Sequence, residues 1–152
     1  MKVYSLILVF LTLCLFSANA QNMTNKKMDA IIRKEAQKVE GQLGGWEFIY
    51  GNRPVMIITD DNANRMRIMT PIIEEKDMPE GRMKTLLEAN FDRALDAKYS
   101  LFKNVLWSTY THPLKELTKD QLIDAMQQVV RLADTYGSTY TSTDMIFGGE
   151  GG

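Results

Sequence analysis

Residues 46–59 read Trp-Glu-Phe-Ile-Tyr-Gly-Asn-Arg-Pro-Val-Met-Ile-Ile-Thr. Aromatic and β-branched side chains flank the Gly51-Asn52 pair, and strand formers on both sides of a turn dipeptide predict a β-hairpin. Alternate side chains of an extended chain share a face, so Trp46, Phe48 and Tyr50 point one way and Ile49 the other. Just downstream, Asp60-Asp61-Asn62-Ala63-Asn64 predicts a second turn. Arg65 to Ile73 then reads as a third strand, in which Pro71 removes a ladder donor.

Upstream of the hairpin, Met28, Ile31, Ile32, Ala36, Val39 and Leu43 recur at three- and four-residue spacing among charged residues. That spacing predicts an amphipathic helix over Asn25–Gln42, capped near Thr24 and stopped by Gly44-Gly45. Beyond the third strand, Glu74 to Gly81 is a charged connection. Met83, Leu86, Leu87, Asn90, Phe91, Ala94 and Leu95 then trace a second helix, with Lys84 and Glu88 an i,i+4 pair. Ala97–Phe102 and Val105–Thr111, joined by Lys103-Asn104, predict a second hairpin ended by Pro113. Thr118-Lys119-Asp120-Gln121 supplies a capping box, and Leu122 to Ala133 continues as a third helix towards Tyr136-Gly137. The order is α-β-β-β-α-β-β-α. It predicts an α+β domain in which an antiparallel five-stranded sheet packs with three helices, most simply on one face. The other arrangement sets the first and third helices on opposite faces.

The ends of the chain have a different character. Met1-Lys2, an apolar run from Val3 to Phe16 and Ser17-Ala18-Asn19-Ala20 match the order of a signal peptide, expected to be cut after Ala20. The run is shorter than the ~20 residues a helix needs to cross a bilayer. Residues 1–20 are therefore read as a signal peptide, 21–137 as the folded domain and 138–152, rich in Ser, Thr and Gly, as a flexible tail. Such a chain is exported, to the periplasm or outside the cell, with no stable membrane insertion after cleavage. The single cysteine, Cys14, lies in the apolar run; acylation there is disfavoured because Leu13 stands where a small residue is wanted. Eighteen basic and nineteen acidic residues give a formal net charge of −1 with no basic run, which argues against nucleic acid and anionic lipid as partners.

The chemistry-bearing residues are sparse. His112 is the only histidine, and its nearest carboxylates in sequence, Glu116 and Asp120, lie across Pro113, so it reads as a strand-end residue and not a ligand or base. Asp60, Asn62 and Asn64 have the spacing of the first calcium-loop ligands. Arg65 and Pro71 then stand where that loop needs glycine and a bidentate glutamate, and a turn is the better reading. Gly-x-Ser-x-Gly does not occur, and no glycine loop has the pattern that cradles phosphate. Glu74, Glu75 and Asp77 form an acidic loop that points to no specific reaction. Asn22-Met23-Thr24 matches a glycosylation acceptor, relevant only in a eukaryotic secretory host. Neither a metal nor a cofactor is predicted.

Both sheet faces carry apolar bulk, since Val105 and Trp107 oppose Leu106 and Tyr110. If the helices cover one face, the other needs a partner, a second copy or a ligand. Leu86-Leu87-Glu88-Ala89-Asn90-Phe91, followed by Tyr99-Ser100-Leu101, Leu106-Trp107 and His112-Pro113-Leu114, resembles the YbjN family and, more distantly, class I type III secretion chaperones. The element order is similar to theirs, and the resemblance spans Asn25 to about Gly137. The chaperone side implies a non-enzymatic homodimer that holds an extended client peptide by strand addition and apolar pockets. The YbjN side implies a sensory or regulatory association. Two features depart from the chaperones, which are cytosolic and strongly acidic. The expectation is an exported, non-enzymatic protein- or peptide-binding module using Trp46, Phe48, Tyr50 and Trp107. The alternatives are a small periplasmic hydrolase using Asp60, Asp61 or His112, and a structural envelope protein whose tail docks elsewhere.

Overall fold

The computed structural model describes residues 22–145. The expected signal peptide with Cys14, and residues 146–152 of the expected tail, lie outside the described residues.

Helix α1 spans Asn25–Glu35, and the Thr24 hydroxyl caps it by accepting from the Lys27 amide at 3.3 Å. It is shorter than its periodicity predicts. Ala36 is already extended, and Gln37–Gln42 forms a strand, β1, antiparallel to β2 (Gly45–Tyr50). Ala36, Val39 and Leu43 keep helical spacing by coincidence. Only Val39 of the six β1 residues is half-buried, so this edge strand shows no alternation that a sequence pattern could register. Backbone geometry breaks the helix: φ is +50° at Lys38 and +95° at Gly41. The sheet therefore has six strands, one more than expected.

Strands β3 (Arg53–Asp60), β4 (Arg65–Glu74), β5 (Lys98–Phe102) and β6 (Val105–His112) complete an antiparallel sheet in the order β1-β2-β3-β4-β6-β5. Gly51-Asn52 and Lys103-Asn104 both have two successive residues in the left-handed region, the twist that two-residue hairpins require. Pro71 is tolerated inside β4 because it lies beyond the last β3 pair, Met56 with Met69, and the ladder with β6 slips directly after it.

Helix α2 spans Arg82–Asp92 and carries the chain from β4 to β5; helix α3 spans Lys119–Asp134 and lies across β4 and β6. Thr118 and Gln121 close the expected capping box, at 3.2 Å and 2.8 Å. One face of the sheet, with Trp46, Ile57, Ile68 and Leu106, forms a single core with Met28 and Ile32 of α1 and with Leu122, Met126 and Val129 of α3. The helices that pack on the sheet thus cover one face and leave the other open.

Two further expectations change. The second helix buries Leu86 and Ala89 but leaves Leu87 63% and Phe91 87% exposed. Part of the expected tail is packed: Tyr140, Thr141 and Ser142 are buried, while Ser138 and Thr139 before them are exposed. Tyr140 meets Tyr99 and Tyr136 edge-to-face at 6.3 Å centroid separation, with the Arg82 guanidinium over its ring. Ser142 Oγ accepts from the Leu95 amide at 2.7 Å. Aromatic burial holds a segment whose polar composition reads as free chain.

Candidate functional site: the open sheet face

The register assigns every strand residue to a face. Trp46, Ile57, Ile68 and Tyr110 form one cross-strand row on the helix-covered side. Glu47, Met56, Met69, Thr109 and Lys98 form the adjoining row on the open side. Ile58, Arg67 and Thr111 flank that row on one hand, and Ile49, Pro54, Trp107 and Ser100 on the other. The open face is an apolar band of Ile49, Met56, Ile58, Met69 and Trp107 with charge at its margins. Ile58 is 46% exposed, and Phe102, at the tip of the second hairpin on the same face, 63%.

This placement corrects the sequence-derived site. Trp46 is 1% and Phe48 3% exposed, and Tyr50 packs against the same core, so these three side chains belong to the helix-covered side. The Trp46 indole donates to Asp29 Oδ1 of α1 at 2.9 Å. Arg33 donates to the same carboxylate at 3.0 Å, and these two donors hold Asp29 below the ordinary carboxyl range. Only Trp107 lies on the open face, its indole N–H donating to the Phe102 carbonyl at 3.3 Å. The strongest aromatic set marks the core because the face with most apolar bulk gains most by burial. The residues missed, Met56 and Ile58 on β3 and Met69 on β4, occupy the positions that alternate with the buried Val55, Ile57 and Ile68 of those strands.

Both sheet edges are blunted. On β1 the register shifts between Gln37 and Glu40, a bulge that interrupts the free edge. On β5, Asn90 of α2 accepts from the Tyr99 amide at 2.7 Å and donates to the Tyr99 carbonyl at 3.1 Å, in the manner of a neighbouring strand. Lys98 Nζ donates to the Asn90 and Ala94 carbonyls at the end of α2, and burial lowers its pKa against the opposing pull of Asp96. Strand addition, which the chaperone resemblance implies, therefore has a poor template at either edge, whereas the open face is unobstructed.

The hydrolase candidates are engaged separately. Asp60 Oδ1 accepts from the Ala63 amide at 2.8 Å, closing its own turn. Asp61 accepts from Asn25 at 2.9 Å, and a ring nitrogen of His112, Nδ1, lies 2.7 Å from the Pro113 carbonyl oxygen. Asn64, left-handed at φ +51°, binds Glu116 Oε2 and the Lys115 amide, so the Asp60–Asn64 segment is a turn tied to the α3 approach. Among the described residues no group of three His, Cys, Asp or Glu side chains is placed to hold a metal.

A second apolar surface lies on α2, where Leu87 and Phe91 are flanked by Lys84, Glu88, Asp92 and Arg93.

No protein-family model and no curated protein matches the chain. A solved structure of the HopA1–SchA chaperone–effector complex contains a similar chain, with a TM-score of 0.55 and 18% identity over 71% of this chain and 88% of that one. At that identity the likeness is one of architecture: this chain has a chaperone-like α+β fold.

Proposed function

We propose that this protein is an exported, non-enzymatic binding module that holds an extended segment of another protein across the open face of its sheet. The observation that carries the reading is a band of Met56, Ile58, Met69 and Trp107 with no helix over it, in a fold similar to a chain of a chaperone–effector complex. Sheets buried on one side normally solvate the other with polar side chains, and an apolar open face marks an interaction surface. Methionine suits such a face because its flexible thioether adapts to different partners. The apolar leader ending at Ala20 supports export, and the separate engagement of Asp60, Asp61 and His112 supports the binding reading over the hydrolase one. The protein acts as a homodimer, self-associating through Leu87 and Phe91 of α2, which leaves the sheet free for the client. The YbjN resemblance adds a regulatory association to the same binding role.

Trp107 reports on the proposed face and Trp46 does not, because Trp46 is buried. A permanently unfolded, reduced and alkylated protein added to the wild type is expected to shift tryptophan emission to the blue. Trp107→Phe removes the shift, and Ile58→Glu weakens binding about ten-fold with an unchanged melting temperature. Binding that survives both Ile58→Glu and Met69→Glu would place the client elsewhere and overturn the reading.

A further inference from the structure

The geometry points to a sequence preference, which rests on the client-binding reading above: the β1 end of the open face selects an extended segment carrying lysine or arginine, with large apolar side chains two and four residues away from it. Glu40 and Glu47 stand directly opposite one another across β1 and β2, and both are exposed. Among the described residues neither takes part in an ion pair. Like charges directly opposite in an antiparallel pair repel, and a cation between them relieves the repulsion. Charge on β1 alone is accounted for by edge protection, but Glu47 lies one strand inward.

The acidic pair opens onto an apolar groove. Glu40, Glu47, Met56, Ile58 and Met69 line one depression of the open face, with Met56 the direct neighbour of Glu47 and Met69 beyond it. Side chains on one face of an extended segment recur about every 7 Å, while sheet strands lie about 4.8 Å apart. A cation seated between the glutamates therefore brings the next two same-face side chains over Met56 and Met69. A segment with glutamate at the first position meets two like charges at the same place and is rejected.

The test uses two acetylated and amidated peptides, Ser-Lys-Ser-Leu-Ser-Leu-Ser and its Lys-to-Glu counterpart, titrated into the isotope-labelled protein and followed by amide chemical shifts at physiological salt. The lysine peptide is expected to bind roughly five- to ten-fold more tightly, as two exposed charge pairs allow. Glu40→Gln/Glu47→Gln removes the preference, while Glu75→Gln/Glu80→Gln, an equal change of charge away from the groove, retains it. Equal binding of the two peptides, or loss of the preference in the second variant, overturns the selection but leaves binding on the open face standing. Failure of both peptides to shift any open-face amide overturns the selection and the client-binding reading together.

Discussion

Single polar side chains decide the places where elements meet. Gln128, 1% exposed on α3, accepts from the Asp96 and Ala97 amides at 3.0 and 3.3 Å and donates to Asp124 at 2.7 Å. Leucine there leaves two backbone donors unpaired, so Gln128→Leu is expected to lose about 2 kcal/mol in urea unfolding. Asp29 works differently, since its carboxylate is held by Arg33 and by the indole of a buried tryptophan. Asp29→Ala leaves that indole without an acceptor, at a cost of about 1 kcal/mol near neutral pH. The folded-state pKa is depressed, so the charge stabilises the fold above the unfolded carboxyl value, and this contribution fades as pH falls through the lower folded one. The gap between wild type and variant in urea midpoint is therefore expected to narrow from pH 7 towards pH 3. Asn90 stood out in the sequence within a helical motif, but its pairing with Tyr99 was not legible, because the two meet only when α2 folds against the sheet.

At the scale of elements, β1 is the one that the pattern misassigned. Local spacing favours continuing α1, but pairing with β2 supplies hydrogen bonds to a segment whose side chains gain little from either arrangement. Gly41 makes that pairing possible, since a Cβ there would lie 2.3 Å from the Gly45 carbonyl oxygen at φ +95°. Gly41→Ala is expected to raise hydrogen-exchange rates at the β1 amides selectively, while α3 amides keep their protection. The capping box of α3 and the two-residue hairpins were legible because their signals are local. The outer face of α2 was only half legible: its apolar residues are evident in the sequence, but which of them the core takes up depends on the angle at which the helix packs.

At the scale of the whole molecule, an 87% exposed phenylalanine beside an exposed leucine calls for a partner surface. Light scattering after size exclusion is expected to give twice the chain mass for the wild type and the single mass for Leu87→Asp/Phe91→Asp, with helical content retained. The C-terminal segment contributes as well. Tyr140 packs between Tyr99, Tyr136 and Arg82, and burial pushes the Tyr99 phenol pKa upward. A chain ending at Gly137 forfeits that ring, and its stability is expected to fall by about 3 kcal/mol in thermal or urea unfolding.

The sequence by itself determined the α+β class, five of the six strands and the three helices, because periodicity and turn chemistry are local properties. Tertiary structure alone decided which face stays open. Alternation sorts side chains into two sets, but only the packing of α1 and α3 settles which set is buried, and it chose Trp46 and Phe48 and left Met56, Ile58, Met69 and Trp107 outside. The docked Tyr140 is held by Tyr99 and Arg82, which are distant in sequence, whereas the sixth strand pairs with the neighbouring β2 but has no alternation of apolar side chains to mark it.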